Sequence, residues 1–249
     1  MPACVHILGV RIDDITFVEL LETMACLVRR GGVYQIVTVN TEYLLAAYRD
    51  PGFASVLRHS ALNVPDSIGV LWAARWLGHP LRERVTGSDG IYRLAEFCAQ
   101  RGFRLYLLGA APGIAQQAAA ILSARYRGLV VCGAYGGSPS ACEEDEICCH
   151  IKEAGADVLL VAYGGSAQEK WIARNQVRAG VAVAIGVGGA LDFVAGVQRR
   201  APLWMRRAGL EWLYRLICQP WRWRRMLALP QTAWLVFWQR LRLRGDMHG

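Results

Sequence analysis

The alternation of two kinds of segment along the chain most limits how it can fold. Stretches rich in valine, isoleucine and leucine alternate with stretches whose apolar residues recur at the helical period. Such alternation is typical of a parallel β-sheet covered by helices on both faces. We therefore predict an α/β, Rossmann-like, mostly parallel sheet, with strands at 34–39, 61–64, 103–108, 129–133, 157–162 and 181–187 and helices near 41–49, 67–77, 89–101, 113–126, 141–154 and 168–179.

The alternation stops near Gly196, and the composition changes there too. Residues 198–249 contain eleven arginines against two acidic residues, a net charge of +9, and six of the nine tryptophans, whereas residues 1–197 sum to −1. Pro220 and Pro230 predict that the helices of this segment are short and interrupted. We expect an α/β domain over 1–197 and a basic, tryptophan-rich helical appendage over 198–249, suited to a membrane surface that carries phosphates.

Composition also limits where the protein can work. No uncharged apolar run reaches the eighteen or more residues needed to span a bilayer, and the first residues do not resemble a signal peptide. We expect a cytoplasmic protein that lies peripherally on the inner face of the plasma membrane. The eight cysteines form no C-x-x-C pair, so we interpret them as small buried hydrophobes or ordinary thiols, and Cys148-Cys149-His150 as a poor zinc site.

Three glycine turns follow predicted strands, around Gly109, at Gly164-Gly165 and at Gly186–Gly189. The carboxyl ends of parallel strands meet at one edge of the sheet, where open α/β folds bind ligands. Each turn is either a plain connection or a source of backbone N–H groups for a diphosphate. None fits the dinucleotide fingerprint, because Leu191 replaces the third glycine, so NAD is not expected and a nucleotide diphosphate is the simplest ligand.

Polar side chains follow two of the same strands. Asp66 lies where a buried strand should end and a helix begin, so it is either the N-cap of that helix or a general base. Thr38 and Asn40 end the preceding strand and either serve the turn or hydrogen-bond a sugar. No D-x-D pair occurs, and Glu143–Glu146 resembles an exposed first helical turn, so we expect neither metal nor cofactor. Backbone N–H groups and arginines such as Arg84 would then stabilise the negative charge on a leaving nucleotide.

Several short motifs follow one another along the chain. They are Thr38-Val39-Asn40, Pro65-Asp66, Arg84-Val85-Thr86-Gly87-Ser88-Asp89, Leu107-Leu108-Gly109, Gln168-Glu169-Lys170-Trp171, Gly186-Val187-Gly188-Gly189, Arg200-Ala201-Pro202, Gly209-Leu210-Glu211-Trp212-Leu213-Tyr214-Arg215 and Gln219-Pro220-Trp221-Arg222. Taken in this order, they resemble those of the WecG/TagA/CpsF glycosyltransferase family. The similarity covers roughly residues 9–225. It departs from the family's usual Asp-Gly at Ser67 and from its usual Pro-Lys-Gln-Glu at Ser166-Ala167.

The resemblance implies an inverting, metal-independent glycosyltransferase. It would move N-acetylmannosamine, its uronic acid or a related hexose from a UDP-sugar to a polyprenyl-diphosphate-linked acceptor, in the synthesis of a cell-surface polymer such as an exopolysaccharide or teichoic acid. It implies that Asp66 is the catalytic base. The substrate-binding candidates are Thr38, Asn40, Arg84 and Gln168, to which we add Gly109, Glu169 and Gly188. The candidates for contact with the lipid diphosphate and the membrane are Arg215, Arg222 and Arg225.

Other classes of protein share parts of this pattern. An oxidoreductase or a methyltransferase can be built on a similar sheet. Arginines interleaved with aromatic residues also occur in nucleic-acid-binding proteins, and a purely structural membrane-associated protein is a third alternative. The tryptophans in Trp234–Trp238 favour lipid, so we expect a membrane partner and no nucleic acid. The sequence does not decide whether the protein forms a homo-oligomer.

Overall fold

The structure is a computed structural model that describes residues 2–202, 204–205, 210–220 and 223–245, with the backbone alone at 88, 89, 215, 224 and 243–245. Within these residues an antiparallel hairpin, β1 (Cys4–Ile7) and β2 (Val10–Asp13), precedes a six-stranded parallel sheet. The strands of the sheet are β3 (Tyr34–Val39), β4 (Leu62–Pro65), β5 (Arg104–Gly109), β6 (Val130–Tyr135), β7 (Val158–Ala162) and β8 (Val183–Gly186). Their order is β4-β3-β8-β7-β5-β6, which confirms the predicted α/β class.

Helices cover both faces of the sheet. They are α1 (Phe17–Arg30), α2 (Thr41–Arg49), α3 (Pro51–His59), α4 (Ile68–Trp76), α5 (Gly87–Arg101), α6 (Ile114–Arg125), α7 (Glu144–Glu153), α8 (Gly165–Ala179), α9 (Ala190–Val194), α10 (Glu211–Cys218), α11 (Trp223–Met226) and α12 (Ala228–Gly245). Strand residues alternate between the faces, as the pleat requires. Ile36 and Leu107 pack with α1, α5, α6 and α9, whereas Val37 packs with α2 to α4 and Leu159 with α7 and α8.

The amino-terminal hairpin and α1 lie outside the predicted elements. The hairpin turn places both Leu8 and Gly9 at positive φ, 50° and 81°. Such a turn is normally signalled by Asn-Gly or Asp-Gly, and leucine gives no such signal. The start of α1 does carry a recognisable signal, a capping box in which Thr16 and Glu19 each accept a backbone N–H of the other.

The carboxyl-terminal segment corrects one prediction. Pro230 does not interrupt a helix; it lies in the first turn of α12, where an absent N–H group breaks no helical hydrogen bond. This helix packs against α2 and α4, with Val236 buried in the core that α2 to α4 share. Gln239 accepts from the Leu8 N–H and donates to the His6 carbonyl. The appendage is thus attached directly to the α/β domain.

No described helix is both long enough and apolar enough to span a membrane.

Two smaller expectations can be compared with the structure. Of the two interpretations of the cysteines, ordinary thiols fits the five that are exposed, and small buried hydrophobes fits Cys98 and Cys148. Glu144, in the acidic run read as an exposed helical turn, is buried, and its carboxylate lies 2.6 Å from the Arg174 guanidinium. The ion pair compensates for the desolvation of the carboxylate and joins α7 to α8.

Candidate functional site

The site is built where the neighbouring strands β4, β3 and β8 end. Thr38, the second-last residue of β3, donates through Oγ1 to the carbonyl of Gly186 at the end of β8, at 3.0 Å. On the other side, the backbone N–H of Asp66 donates to the Val39 carbonyl at 2.8 Å. These bonds fix the relative positions of the three strand ends, so side chains that follow them converge on one edge.

Asp66 does not cap the helix that follows it. Ser67 has that role, since its side chain accepts from the N–H of Val70 in the first turn of α4. The Asp66 carboxylate instead reaches across to α5 and accepts from the Gly87 N–H through Oδ1, at 3.0 Å. The side chain is partly exposed, so the carboxylate is held by the start of a neighbouring helix and still faces a cavity.

The cavity beside Asp66, here called the Asp66 cavity, has a volume of about 150 Å³. Three sequence-predicted residues from the α/β domain, Asn40, Asp66 and Arg84, line it. Other residues of the α/β domain and of the carboxyl-terminal helices, including Arg225, complete the wall. The structure thus brings three carboxylates, an amide and two guanidinium groups around one space, a set of groups suited to a phosphorylated sugar.

Asn40 and Arg225 are both held by contacts with α2. Asn40 is the N-cap of that helix, and its Oδ1 accepts from the Tyr43 N–H at 3.0 Å. Turn chemistry, one of its two predicted roles, is therefore present. Arg225 forms an ion pair with Glu42, Nη2 to Oε2 at 2.7 Å. Since both groups are partly exposed, this pair orients the guanidinium more than it stabilises the fold.

Gln168 and Glu169 lie beneath the strand ends rather than in the Asp66 cavity wall. Gln168 is 2% exposed, and its Oε1 accepts from the N–H groups of Gly164 and Gly188, at 3.0 and 3.1 Å. Its Nε2 donates to the Tyr43 hydroxyl and to the Glu169 carboxylate. Gln168 thereby ties together the glycine turns that follow β7 and β8, and its four hydrogen bonds lie inside the protein.

Glu169 is fully buried and completes this network. Its Oε2 accepts from Gln35 Nε2 at 2.8 Å, and its Oε1 accepts from Gln168. Burial raises the pKa of the Glu169 carboxyl to about 7, because desolvation disfavours the charged form. Burial, together with the nearby Glu169 charge, also raises the pKa of the Tyr43 phenol. The Glu169 carboxyl therefore holds buried polar groups together, and it changes between its protonated and ionised forms near neutral pH.

The remaining predicted residues occupy separate places. Gly109 ends β5, two strands from β8, at φ 102°, and a side chain there would strike the backbone of Ala162. Gly188 has a positive φ and open space beside its Cα. Arg215 lies in α10, where only its backbone is described, and Arg222 lies outside the described residues. The proposed contacts of all these residues with substrate stay predictions.

Several residues around the site escaped the sequence interpretation. Glu211 and Trp212 of α10 line the Asp66 cavity, as does the buried Thr86. Gln35 and Tyr43 support Glu169 from below. A glutamine inside an apolar strand was a usable signal for a buried polar network. The approach of α10 depends on tertiary packing and had no local signal.

Among the described residues, no three histidine, cysteine, aspartate or glutamate side chains cluster as a metal site would require. The carboxylates at the Asp66 cavity are engaged instead with cations or backbone. Glu42 pairs with Arg225, Glu211 lies 3.9 Å from Arg200, and Asp66 accepts from Gly87. Positive charge at this cavity comes from arginine.

Known proteins resemble the chain over nearly its whole length. Three relatives carry the name N-acetylglucosaminyldiphosphoundecaprenol N-acetyl-beta-D-mannosaminyltransferase. The protein from Bacillus subtilis (strain 168) is 34% identical over 89% of this chain and 85% of its own length. The protein from Bacillus spizizenii (strain ATCC 23059 / NRRL B-14472 / W23) is 32% identical over 89% of this chain and 84% of its own length. The protein from Staphylococcus aureus (strain NCTC 8325 / PS 47) is 27% identical over 92% of this chain and 90% of its own length.

The family model described as glycosyl transferase WecG/TagA/CpsF family matches residues 5–246. This match includes both the α/β sheet and the carboxyl-terminal helices that together line the Asp66 cavity. The resemblance inferred from short motifs is thereby confirmed: the chain belongs to the WecG/TagA/CpsF glycosyltransferase family.

Proposed function

We propose that this protein transfers N-acetylmannosamine or a closely related sugar from a UDP-sugar to an N-acetylglucosamine carried on a polyprenyl diphosphate. The observation that carries the proposal is the Asp66 cavity, where the Asp66 carboxylate lines the same space as Arg84 and Arg225. The printed names of the relatives supply the sugars and the lipid diphosphate. The arginines match the phosphates of both substrates.

The chemistry is a single displacement. Asp66 removes the proton from the acceptor hydroxyl as that oxygen attacks the anomeric carbon of the donor. The bond from that carbon to the UDP oxygen breaks, UDP leaves with the electron pair, and the configuration at the carbon inverts. The hydrogen bond from Gly87 N–H to Oδ1 orients the carboxylate for this proton transfer. Arg84 and the first turn of α4 at the cavity wall stabilise negative charge on the leaving UDP.

The location proposed for this reaction is the inner membrane surface, with the protein bound peripherally. Exposed aromatic residues support this proposal. Trp234 is 61% exposed, and Phe237 and Trp238 beside it on α12 are also exposed. Arg240 and Arg242 follow on the same helix. Tryptophan beside arginine suits the boundary between lipid headgroups and acyl chains, where the acceptor's diphosphate would also lie.

A transfer assay with defined substrates tests the proposal. Purified protein is incubated with UDP-N-acetylmannosamine or other UDP-sugars and a lipid-diphosphate N-acetylglucosamine, with and without EDTA. We expect UDP release that requires acceptor, one disaccharide lipid per UDP, an inverted anomeric configuration and full activity in EDTA. Absence of transfer from every UDP-sugar would contradict the proposed reaction, and strict dependence on added Mg²⁺ or Mn²⁺ would contradict its metal-independent form.

A further inference from the structure

An apolar groove runs between α4 and α12, with a volume of about 960 Å³. Leu71 and Trp72 line it from α4, and Ala233, Val236 and Phe237 line it from α12. Its wall is largely hydrocarbon, and Trp72 remains 74% exposed beside it. So large an exposed apolar surface is unusual on a protein unless something binds there.

The groove adjoins the Asp66 cavity. Thr41, Ile68, Gly69 and Leu229 line both spaces. Between them α4 packs so closely on the start of α2 that a Cβ on Gly69 would lie 2.5 Å from Thr41 Cγ2. A ligand that extends over this boundary would have its polar end beside carboxylate and guanidinium groups and its other end on an apolar surface.

Two arginines, Arg75 and Arg240, are among the residues that line the groove. The Arg240 guanidinium donates to the Trp76 carbonyl, and its Cζ lies 4.6 Å from the centre of the Trp76 ring. A cation held over an exposed tryptophan can remain near lipid headgroups while the aromatic ring faces acyl chains.

We propose that this groove binds the polyprenyl chain of the acceptor, over the isoprene units nearest the diphosphate. The inference rests on the proposed function and adds a position for the lipid. With the sugar hydroxyl at Asp66 and the diphosphate at the arginines, the hydrocarbon must leave the Asp66 cavity, and the apolar groove adjoins that cavity at Gly69. The residues shared by the two spaces favour the acceptor over a bulk lipid or a second copy of this chain, neither of which needs the groove to lie beside the cavity.

The experiment compares two acceptors and two matched variants. Both acceptors carry N-acetylglucosamine diphosphate, one on undecaprenol and one on a short alkyl chain that ends before the groove. Ala233→Glu places a carboxylate in the groove at an exposed helical position, and Leu241→Glu places the same charge on α12 outside it. Initial rates in detergent micelles give kcat/KM for each pair, and circular dichroism verifies folding.

A charge against the hydrocarbon should weaken binding of the long acceptor alone. We expect Ala233→Glu to lower kcat/KM for the undecaprenyl acceptor at least about tenfold, and to change that for the short acceptor by less than about twofold. Leu241→Glu should change neither by more than about twofold. Equal losses for both acceptors, equal losses in both variants, or no loss would each overturn the groove assignment. Wild-type protein that transfers to neither acceptor would instead overturn the proposed function.

Discussion

Gly186 has no room for a side chain, because Gln168 and Glu169 lie directly against its Cα. A Cβ there would collide with the buried side-chain amide of Gln168 and with the buried carboxylate of Glu169. The absence of a side chain therefore allows a polar pair to lie beneath the strand ends. From there Gln168 reaches the N–H groups of Gly164 and Gly188 and sets the spacing of the two turns. At this position glycine serves the hydrogen-bond network as well as the turn.

The buried Glu169 gives a testable pH dependence of stability. Its pKa is raised by burial to about 7, whereas in the unfolded chain it should ionise near 4.5. A raised folded-state pKa contributes stability that is complete below the unfolded value and is lost as pH rises through the folded value. The loss is on the order of 3 kcal/mol across this window.

Glu169→Gln cannot ionise and should not show that loss. Urea unfolding of both proteins at pH 5 and pH 8 measures this difference. Between pH 5 and pH 8 the free energy of unfolding of the wild type should fall by more than that of the variant. Because all other titrating groups are shared, their contributions cancel in the comparison. The same pH dependence in the two proteins would show that the carboxyl titrates normally despite its burial.

Sequence could predict some site residues better than others. Asp66 follows a buried apolar strand, and this position alone placed it at the functional edge of the sheet. Which residue caps α4 could not be read from the same pattern, since Asp66 and Ser67 are both good N-caps. The inward orientation of Gln168 was equally hidden, because a glutamine early in a helix can face either ligand or core. Arg84 was recognisable through the family motif, and its place in the cavity wall required the fold.

The elements were predictable where burial dominates their sequence. Five of the six strands of the parallel sheet are buried on both faces over most of their length, so each appears as a short continuous apolar run, whereas the edge strand β6 is only partly buried. All six predicted strands are present, with ends shifted by two residues at most. The amino-terminal hairpin and α12 were harder. Leu8 adopts a positive φ although leucine does not predict such a turn. Pro230 lies in the first turn of α12, whereas the sequence predicted that this proline would interrupt a helix.

The element that most affects the site is the short helix α11, because it places Arg225 at the cavity wall. Arg225→Ala should lower kcat/KM with the lipid acceptor by about 10- to 100-fold, since one charged hydrogen bond to phosphate contributes about 1.5–3 kcal/mol. Its effect on stability should be small, because the pair with Glu42 is partly exposed.

Arg242→Ala is the matched control, an exposed arginine on α12 away from the Asp66 cavity. Both variants remove one positive charge, so both should weaken liposome binding to a similar, modest extent. Only Arg225→Ala should also depress transfer to a short soluble acceptor. If the two variants lose transfer equally, the role of Arg225 is membrane attraction rather than phosphate binding.

At the scale of the whole molecule, charge and aromatic residues are concentrated at one end of the sequence. Among the described residues, Trp212 and Arg225 lie on helices that line the Asp66 cavity, and Trp234, Trp238 and Arg240 lie on α12, which packs on α2 and α4. One part of α12 is buried through Val236, while Trp234 and Trp238 remain exposed. The same helix therefore packs on the core and presents tryptophan outward.

Membrane binding should therefore depend on both charge and the exposed tryptophans. Sedimentation with anionic vesicles should show binding that weakens as salt is raised from about 0.05 to 0.5 M, because screening shortens the range of the attraction. Trp234→Ala should reduce the partition coefficient by about three- to tenfold. Val177→Ala, a smaller loss of exposed apolar area on α8, should not. Equal losses in the two variants would mean that α12 is not the membrane-binding surface.

The central claim is that Asp66 acts as the base for sugar transfer in the cavity where the three strands end. Asp66→Asn retains nearly the same shape but removes the basic carboxylate. Turnover with a UDP-sugar and a lipid-diphosphate acceptor should fall by about 10²- to 10⁴-fold, while the Kd for UDP, measured by calorimetry on the same preparation, should stay within about twofold of wild type. Turnover at the wild-type rate in this variant would contradict the claim directly.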